Sequence, residues 1–172
     1  MGAVVPSSDE LGRRITEGID LERARTIVEL GPGTGALTRF IVERAAPDAQ
    51  VIAVEIDQGF ADTIRSRYPR VAVVHGSAER LPEYVNGSPA DCIVSGLPWA
   101  AFAARQQAQI LDAVLAALKP GGWFATFAYI HAAWLPGGAR FRSKLDDSFS
   151  TVSLSPVIWN NVPPAFVYRC RK

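Results

Sequence analysis

A buried strand, a glycine-rich turn and a helix can be read directly from Val28-Glu-Leu-Gly-Pro-Gly-Thr-Gly-Ala-Leu-Thr-Arg-Phe-Ile41. The apolar run Thr26 to Leu30 suits a parallel strand covered on both faces, and the amphipathic stretch Ala36 to Ala45 has helical spacing. Between them glycine occupies three alternate positions, Gly31, Gly33 and Gly35. Glycine adopts positive φ without strain and has no Cβ, so a ligand can lie against the backbone. The N–H groups and dipole of the following helix then face that ligand. Glu29 sits at the end of the strand, where a phosphate would be repelled and an amino group attracted. The turn predicts a cofactor pocket, and one not built for a pyrophosphate.

Three further strands end in turns of the same kind. Val51-Ile-Ala-Val-Glu-Ile-Asp57 carries Glu55, 24 residues after Gly31, the distance at which an acid accepts hydrogen bonds from a ribose diol. Val71 to His75 runs into Gly76-Ser-Ala-Glu79, and Asp91 to Ser95 runs into Gly96-Leu-Pro-Trp99. Strands alternating with helices predict an open parallel sheet whose ligand lies at the strands' carboxyl ends. Ser7 or Ser8 can cap a first helix ending near Gly18, and further helices are expected over Gly59 to Tyr68 and Phe102 to Leu118. The last of these stops at Lys119-Pro-Gly-Gly122, before a fifth strand from Trp123 to Ile130. The remaining strand candidates, Thr151 to Trp159 and Ala165 to Cys170, have no helix-length segment between them, which predicts a hairpin. The expected fold is α/β: a Rossmann-like, seven-stranded, mostly parallel sheet flanked by helices, with a C-terminal antiparallel hairpin, in one domain spanning residues 1–172. Gly31, Gly33 and Ala36 also satisfy the dinucleotide pattern G-x-G-x-x-G/A, but a plain dinucleotide fold lacks such a hairpin.

A formal net charge of +1 gives no global field that would draw the chain to nucleic acid. Cys92 and Cys170 fall inside predicted strands and read as buried thiols in a reducing compartment, which fits a cytoplasmic protein. No apolar run approaches the ~20 residues of a membrane span. Two scattered histidines and two separated cysteines offer no metal-ligand cluster, and no metal is expected.

Together the glycine turn, Glu29, Ser77-Ala-Glu79 and Ser95-Gly-Leu-Pro-Trp99 resemble the class I S-adenosylmethionine-dependent methyltransferases. Within that class, Gly2-Ala-Val-Val-Pro-Ser-Ser8, Ser95-Gly-Leu-Pro98, Lys119-Pro-Gly-Gly122, Phe127-Ala-Tyr129 and Val162-Pro-Pro-Ala-Phe-Val-Tyr-Arg169 look like the bacterial phospholipid N-methyltransferases, which convert phosphatidylethanolamine stepwise to phosphatidylcholine. The resemblance implies S-adenosylmethionine as cofactor. It implies that Glu29, Gly31, Gly33 and Gly35 hold the methionine part, Glu55 the ribose with Ile56 beside it, and Ser77 and Ala78 the adenine. Ser95, Gly96 and Leu97 would close the cofactor site towards the acceptor amine, which Trp99, Tyr129 and Tyr168 would face as the catalytic set. An amine turning cationic as it is methylated suits aromatic faces, each worth about 0.5–2 kcal/mol to a cation.

Two positions depart from that family's pattern. Ser77 stands where the family usually has Asp, so a charge is missing beside the adenine. Family members also carry an amphipathic helix ahead of the Ala-Val-Pro-Ser-Ser segment, at which this sequence nearly begins. Trp134-Leu-Pro-Gly-Gly-Ala-Arg-Phe-Arg-Ser-Lys144, with Trp134, Leu135 and Phe141 among three cations and no acid, could take part of that helix's role as a peripheral contact with the anionic inner membrane face. It reads equally as a surface loop and short helix with solvated arginines. Three other functions stay open: methylation of a soluble small-molecule amine, methylation of ribosomal RNA adenine, and a catalytically silent cofactor-binding module. The RNA dimethylases carry Asn-Leu-Pro-Tyr where this chain has Gly96-Leu-Pro-Trp99, so the amide that orients the target amine is missing, and no nucleic-acid partner is expected.

Overall fold

A computed structural model of the chain describes residues 8–85 and 87–172. Residues 2–7, including Ser7 and most of the Gly2–Ser8 block, lie outside the described residues. In chain order the elements are α1 (Asp9–Thr16), β1 (Thr26–Leu30), α2 (Thr38–Arg44), β2 (Gln50–Glu55), α3 (Gln58–Arg67), β3 (Val71–His75), α4 (Leu81–Tyr84), β4 (Ala90–Ser95), α5 (Ala104–Ala117), β5 (Leu118–Tyr129), α6 (Ile130–Ala133), α7 (Pro136–Ser148), β6 (Thr151–Leu154) and β7 (Ala165–Arg171). The strands form one seven-stranded sheet in the order β3-β2-β1-β4-β5-β7-β6. The β1–β5 strands pair in parallel, and β7 is antiparallel to both β5 and β6, as the tail hairpin predicted. The chain leaves β1 for β2 on one side and returns to β4 on the other. The carboxyl ends of β1 and β4 therefore flank the switch point, where open α/β sheets bind ligands.

Side chains alternate across the strands, so each face of the sheet carries its own apolar layer. On one face Val28, Leu30, Ile93, Phe124 and Cys170 pack under α5 and α7 through Ile110, Val114, Phe141 and Leu145. On the other, Ile27, Val51, Cys92, Val94 and Val167 pack under α1, α2 and α3 through Leu11, Ile15, Ile41 and Ile64. All five residues of β1 are buried, which is why this strand reads as a continuous apolar run rather than an alternating one. Both cysteines are free and buried, on opposite faces, and burial pushes each thiol up to about 12.

Two local details differ from, or settle, the sequence reading. The helix of α5 stops at Ala117, but β5 continues back through Lys119-Pro-Gly-Gly122, because Leu118 pairs with Ala90 and Lys172 bonds to both Gly121 and Gly122. A bulge in the β4–β5 pairing absorbs the extra residues. At the other end of the chain, Ser8 caps α1, its hydroxyl accepting from the Leu11 N–H at 3.2 Å. Ser8→Ala is expected to lower stability by about 1 kcal/mol, read as a shift in the urea midpoint at constant slope.

Candidate active site at the carboxyl edge of the sheet

Each strand that meets the switch point hands over to its turn with one more ladder bond. Gly31 N–H donates to the Val54 carbonyl, Gly96 N–H to that of Leu30 and Gly76 N–H to that of Glu55. The three turns are thereby held flat along one edge. Gly31, Gly33 and Gly35 all have positive φ, at 68°, 53° and 86°. A Cβ on Gly33 would meet nothing within 4 Å among the described residues, so its backbone presents open space as well as a left-handed conformation. A Cβ on Gly96 would come within 2.7 Å of the Gly31 carbonyl, so that glycine lets the β4 turn close onto the β1 turn.

Two carboxylates flank this turn. Glu55 ends β2 and is almost fully buried; one oxygen accepts from Gly33 N–H and the other from Asp57 N–H, both at 3.0 Å. It ties the glycine turn to the β2 turn, and each oxygen keeps a second lone pair for a ligand. Glu29 is wholly buried on the α2 face. Its Oε2 accepts from the Thr38 hydroxyl at 2.7 Å, while Oε1 is a buried side-chain polar atom with no partner among the described residues. Burial pushes its carboxyl up to about 8; the Thr38 hydrogen bond opposes the shift and the nearby Glu55 charge adds to it. An orphaned buried acceptor of this kind is costly unless a ligand donates to it. A cationic amine would both satisfy it and draw its proton off.

Beyond Glu55, Ile56 is 72% exposed although large and apolar, and its carbonyl lies 3.1 Å from His75 Nε2. Ser77 starts the next turn, its hydroxyl accepting from Glu79 N–H, and Ala78 follows it half-buried. Ile56, Ser77 and Ala78 thus lie on neighbouring turns, apolar and weakly polar, without an acid in the Ser77 position. A cavity of about 380 Å³ lies beside the glycine turn, lined by Thr34, Gly35, Arg39, Arg67 and Tyr68. Neither Glu29 nor Glu55 lines it, so it adjoins the site rather than forming it.

The three aromatics expected to face an acceptor are not brought together. Trp99 is only 3% exposed: its indole stacks on Phe141 at 4.5 Å, meets Phe102 and Phe124 edge-on, and donates to the Ser95 hydroxyl at 3.0 Å. Ser95 is itself wholly buried, also accepts from Leu97 N–H, and takes the Thr126 hydroxyl on its carbonyl. Trp99 therefore turns inward because a buried acceptor and a covering ring await it, and it braces the β4 turn from below. Gln107 fixes the same turn, donating to the Trp99 and Gly137 carbonyls while its own oxygen accepts from Arg140. Tyr168, directly opposite Thr126 in the ladder, is equally buried under Phe141 and Phe166. Tyr129 pairs with Ala165, three residues along β5 from Thr126, and so points to the opposite face, where it stacks on His131. Burial raises the phenols of both tyrosines. Phe141, which the sequence left open between a membrane anchor and part of a surface loop and short helix, is a core residue. Thr38 and Gln107 escaped the sequence reading, and Arg140, read there only as a cation of the Trp134–Lys144 segment, braces Gln107 instead. Thr38 had one weak signal, a hydroxyl at the mouth of the helix after the glycine turn.

The family comparison agrees with this geometry. The family model described as "Methyltransferase domain" matches residues 27–122. An ornithine lipid N-methyltransferase of Singulisphaera acidiphila is 34% identical over 177 residues, covering 99% of this chain and 88% of the relative. The chain belongs to the class I S-adenosylmethionine-dependent methyltransferases. Ribosomal RNA small subunit methyltransferase A of Parasynechococcus marenigrum is also 34% identical, but over 50% of this chain and 29% of that protein. An O-methyltransferase from Bacillus cereus, solved in complex with SAH, shares the fold with a TM-score of 0.74 at 18% identity, covering 96% of this chain and 82% of its own. The methyltransferase's cofactor is S-adenosylmethionine. The residues at the switch point fit it: an unpartnered buried carboxyl oxygen suits its ammonium group, and open backbone at Gly33 allows close approach. Among the described residues no cluster of His, Cys, Asp or Glu could hold a metal ion, and no helix is long and apolar enough to cross a membrane.

Proposed function

We propose that this methyltransferase N-methylates the primary amine of a membrane lipid, with phosphatidylethanolamine as the headgroup and phosphatidylcholine as the end of the series. The supporting observation is the likeness to an ornithine lipid N-methyltransferase along 99% of the chain, glycine turn and hairpin included. The ornithine lipid amine is a second reading that the same observation favours. The sequence match to the ribosomal RNA methyltransferase of Parasynechococcus marenigrum spans 50% of this chain, and Gly96-Leu-Pro-Trp99 lacks an amide to orient an adenine.

Within the site, Glu29 and the backbone of Gly31, Gly33 and Gly35 hold the methionine part, with Thr38 fixing the Glu29 carboxyl. Glu55 takes the ribose, and Ile56, Ser77 and Ala78 line the adenine. Gly96 and Leu97 form the wall between cofactor and acceptor, shaped from behind by Ser95, Trp99 and Tyr168. The bound cofactor supplies a methyl group on a sulfonium. The acceptor ammonium would first lose a proton to solvent. Its neutral nitrogen, held in line with the methyl carbon and the sulfur, would then gain the methyl as the methyl–sulfur bond breaks and sulfur keeps the electron pair, so the nitrogen finishes cationic. The protein's contribution is to align the two and to keep water out. Tyr129 and His131 stand at the edge of this wall, on the α1 face. The enzyme works from the cytoplasm, against the inner membrane face.

Incubation with methyl-labelled S-adenosylmethionine and liposomes containing phosphatidylethanolamine or ornithine lipid, followed by chromatography of the lipids, tests this reading. Label in mono-, di- or trimethylated lipid is the expected result. Label recovered only in a soluble amine or in RNA would overturn it.

A further inference from the structure

Of the seven large apolar side chains left exposed among the described residues, four gather at one place, the carboxyl edge beyond β5; Ile56, Phe60 and Leu154 lie elsewhere. Trp134 is 85% exposed and Leu135 about half, both in the turn between α6 and α7; Trp159 is 72% and Val162 71% exposed, both between β6 and β7. The two segments lie about 25 residues apart in sequence but emerge side by side. Tyr129 and Ala165 are paired at the end of the β5–β7 ladder, Ile130 N–H donates to the Pro164 carbonyl at 3.0 Å, and Ile158 bridges to Ala165. Parallel β4 ends at the same edge, and its turn is bonded through Gln107 to Gly137 at the start of α7. The exposed rim therefore borders the β4 turn, which closes onto the glycine turn.

Charge on this rim is biased towards cations. The chain holds 18 cations and 17 acids overall, yet no acid occurs from Ile93 to Leu111, from Ala113 to Leu145, or from Ser148 to Lys172. Arg105, exposed in the first turn of α5, makes no ion pair among the described residues, and Arg140 is anchored by carbonyl and amide oxygens rather than by a carboxylate. Glu10 borders the rim through Asn160. Tryptophans sit favourably at a headgroup boundary, and cations without acids are drawn to an anionic leaflet. Two exposed tryptophans with neighbouring aliphatics and unpaired arginine charge form the amphipathic, positively biased surface that such a leaflet attracts.

We propose that this rim docks the enzyme on an anionic bilayer, with Trp134 and Trp159 as the inserted anchors, so that a lipid amine reaches the carboxyl edge without leaving the membrane. The inference rests on the lipid-amine reading but can fail separately. The site differs from the one the sequence suggested: Phe141 is withdrawn into the core, and Trp159 with Val162 joins from the hairpin loop.

Sedimentation with vesicles of phosphatidylcholine and about one third phosphatidylglycerol, without amine lipid or cofactor, tests docking alone. Wild-type protein is expected to sediment with these vesicles and far less with pure phosphatidylcholine. Trp134→Ala/Trp159→Ala is expected to lower the partition coefficient about tenfold or more, and Arg105→Glu to lower it less. Both variants should keep the wild-type urea midpoint, because the altered side chains are exposed. Both should still methylate amine lipid dispersed in detergent micelles. Undiminished vesicle binding by the double variant, or no binding by a wild type that methylates micellar lipid, would overturn the proposal. So would a wild-type dimer that the double variant dissolves without any vesicle binding. Vesicle binding without methylation of any amine lipid would sink the substrate reading and leave the docking surface standing.

Discussion

Trp99→Ala is expected to cost about 3–5 kcal/mol of folding stability, the range for emptying a buried large aromatic site. The indole is covered on its face by Phe141 and at its edges by Phe102 and Phe124, so the cavity would have rigid walls on three sides. Its N–H also partners the Ser95 hydroxyl, a wholly buried group that would lose its ring donor. A loss of that size is a large share of the ~5–15 kcal/mol that holds a typical domain together. Trp99→Phe keeps most of the stacking and removes the hydrogen bond, so its cost should be nearer 1–2 kcal/mol. Urea unfolding of the two variants separates these terms. A cost below about 1 kcal/mol for Trp99→Ala, with turnover lost, would mean instead that the indole serves the acceptor.

Glu29→Gln carries the second large effect, and it should appear as a pH dependence. In the unfolded chain this carboxyl titrates near 4.5, whereas burial holds it up to about 8 in the folded protein. Between those values the folded state keeps a proton that the unfolded state has released. Stability of the ligand-free enzyme should therefore fall as pH rises through that window, by about 1.4 kcal/mol per unit from this group at most. Below the window both states are protonated, and above it both are charged, so the slope vanishes at either end. Glutamine does not ionise, and the slope should vanish with it. Denaturant unfolding is then expected to show wild type and Glu29→Gln within about 1 kcal/mol at pH 5, with the variant more stable by about 2–4 kcal/mol at pH 8. Parallel stability curves would mean that Glu29 is hydrated and ordinary.

The fold was legible because its central strands are buried on both faces, so Thr26–Leu30, Val51–Glu55 and Cys92–Ser95 are mostly apolar without polar alternation, and each runs into a glycine turn or a carboxylate at its end. The hairpin was legible from a missing helix. Lys119-Pro-Gly-Gly122 was not legible as strand, because its pairing depends on Lys172, 50 residues beyond Gly122. At the site, Glu29 and Glu55 could be placed because a strand end fixes where its last side chains lie. The aromatic set could not be placed, since two facts decide it that no local pattern carries. One is the β5–β7 register, which sends Tyr129 and Tyr168 to opposite faces. The other is α7, whose Phe141 crosses 42 residues of sequence to cover Trp99. A signal for the second existed: Phe141, Leu145 and Phe149 recur at helical spacing, which marks a core-facing stripe rather than a membrane anchor.

Calorimetric titration of S-adenosylmethionine at pH 7, in two buffers of different ionisation enthalpy, tests most directly whether the cofactor's amine meets the buried Glu29 carboxyl. One cofactor should bind per chain with net release of a proton, and affinity should rise as pH approaches 8. Glu29→Gln should bind about 10–100-fold more weakly, the scale of a hydrogen bond to a charged partner, and release none. Equal affinity and equal proton release in both proteins would contradict the placement of the cofactor against Glu29.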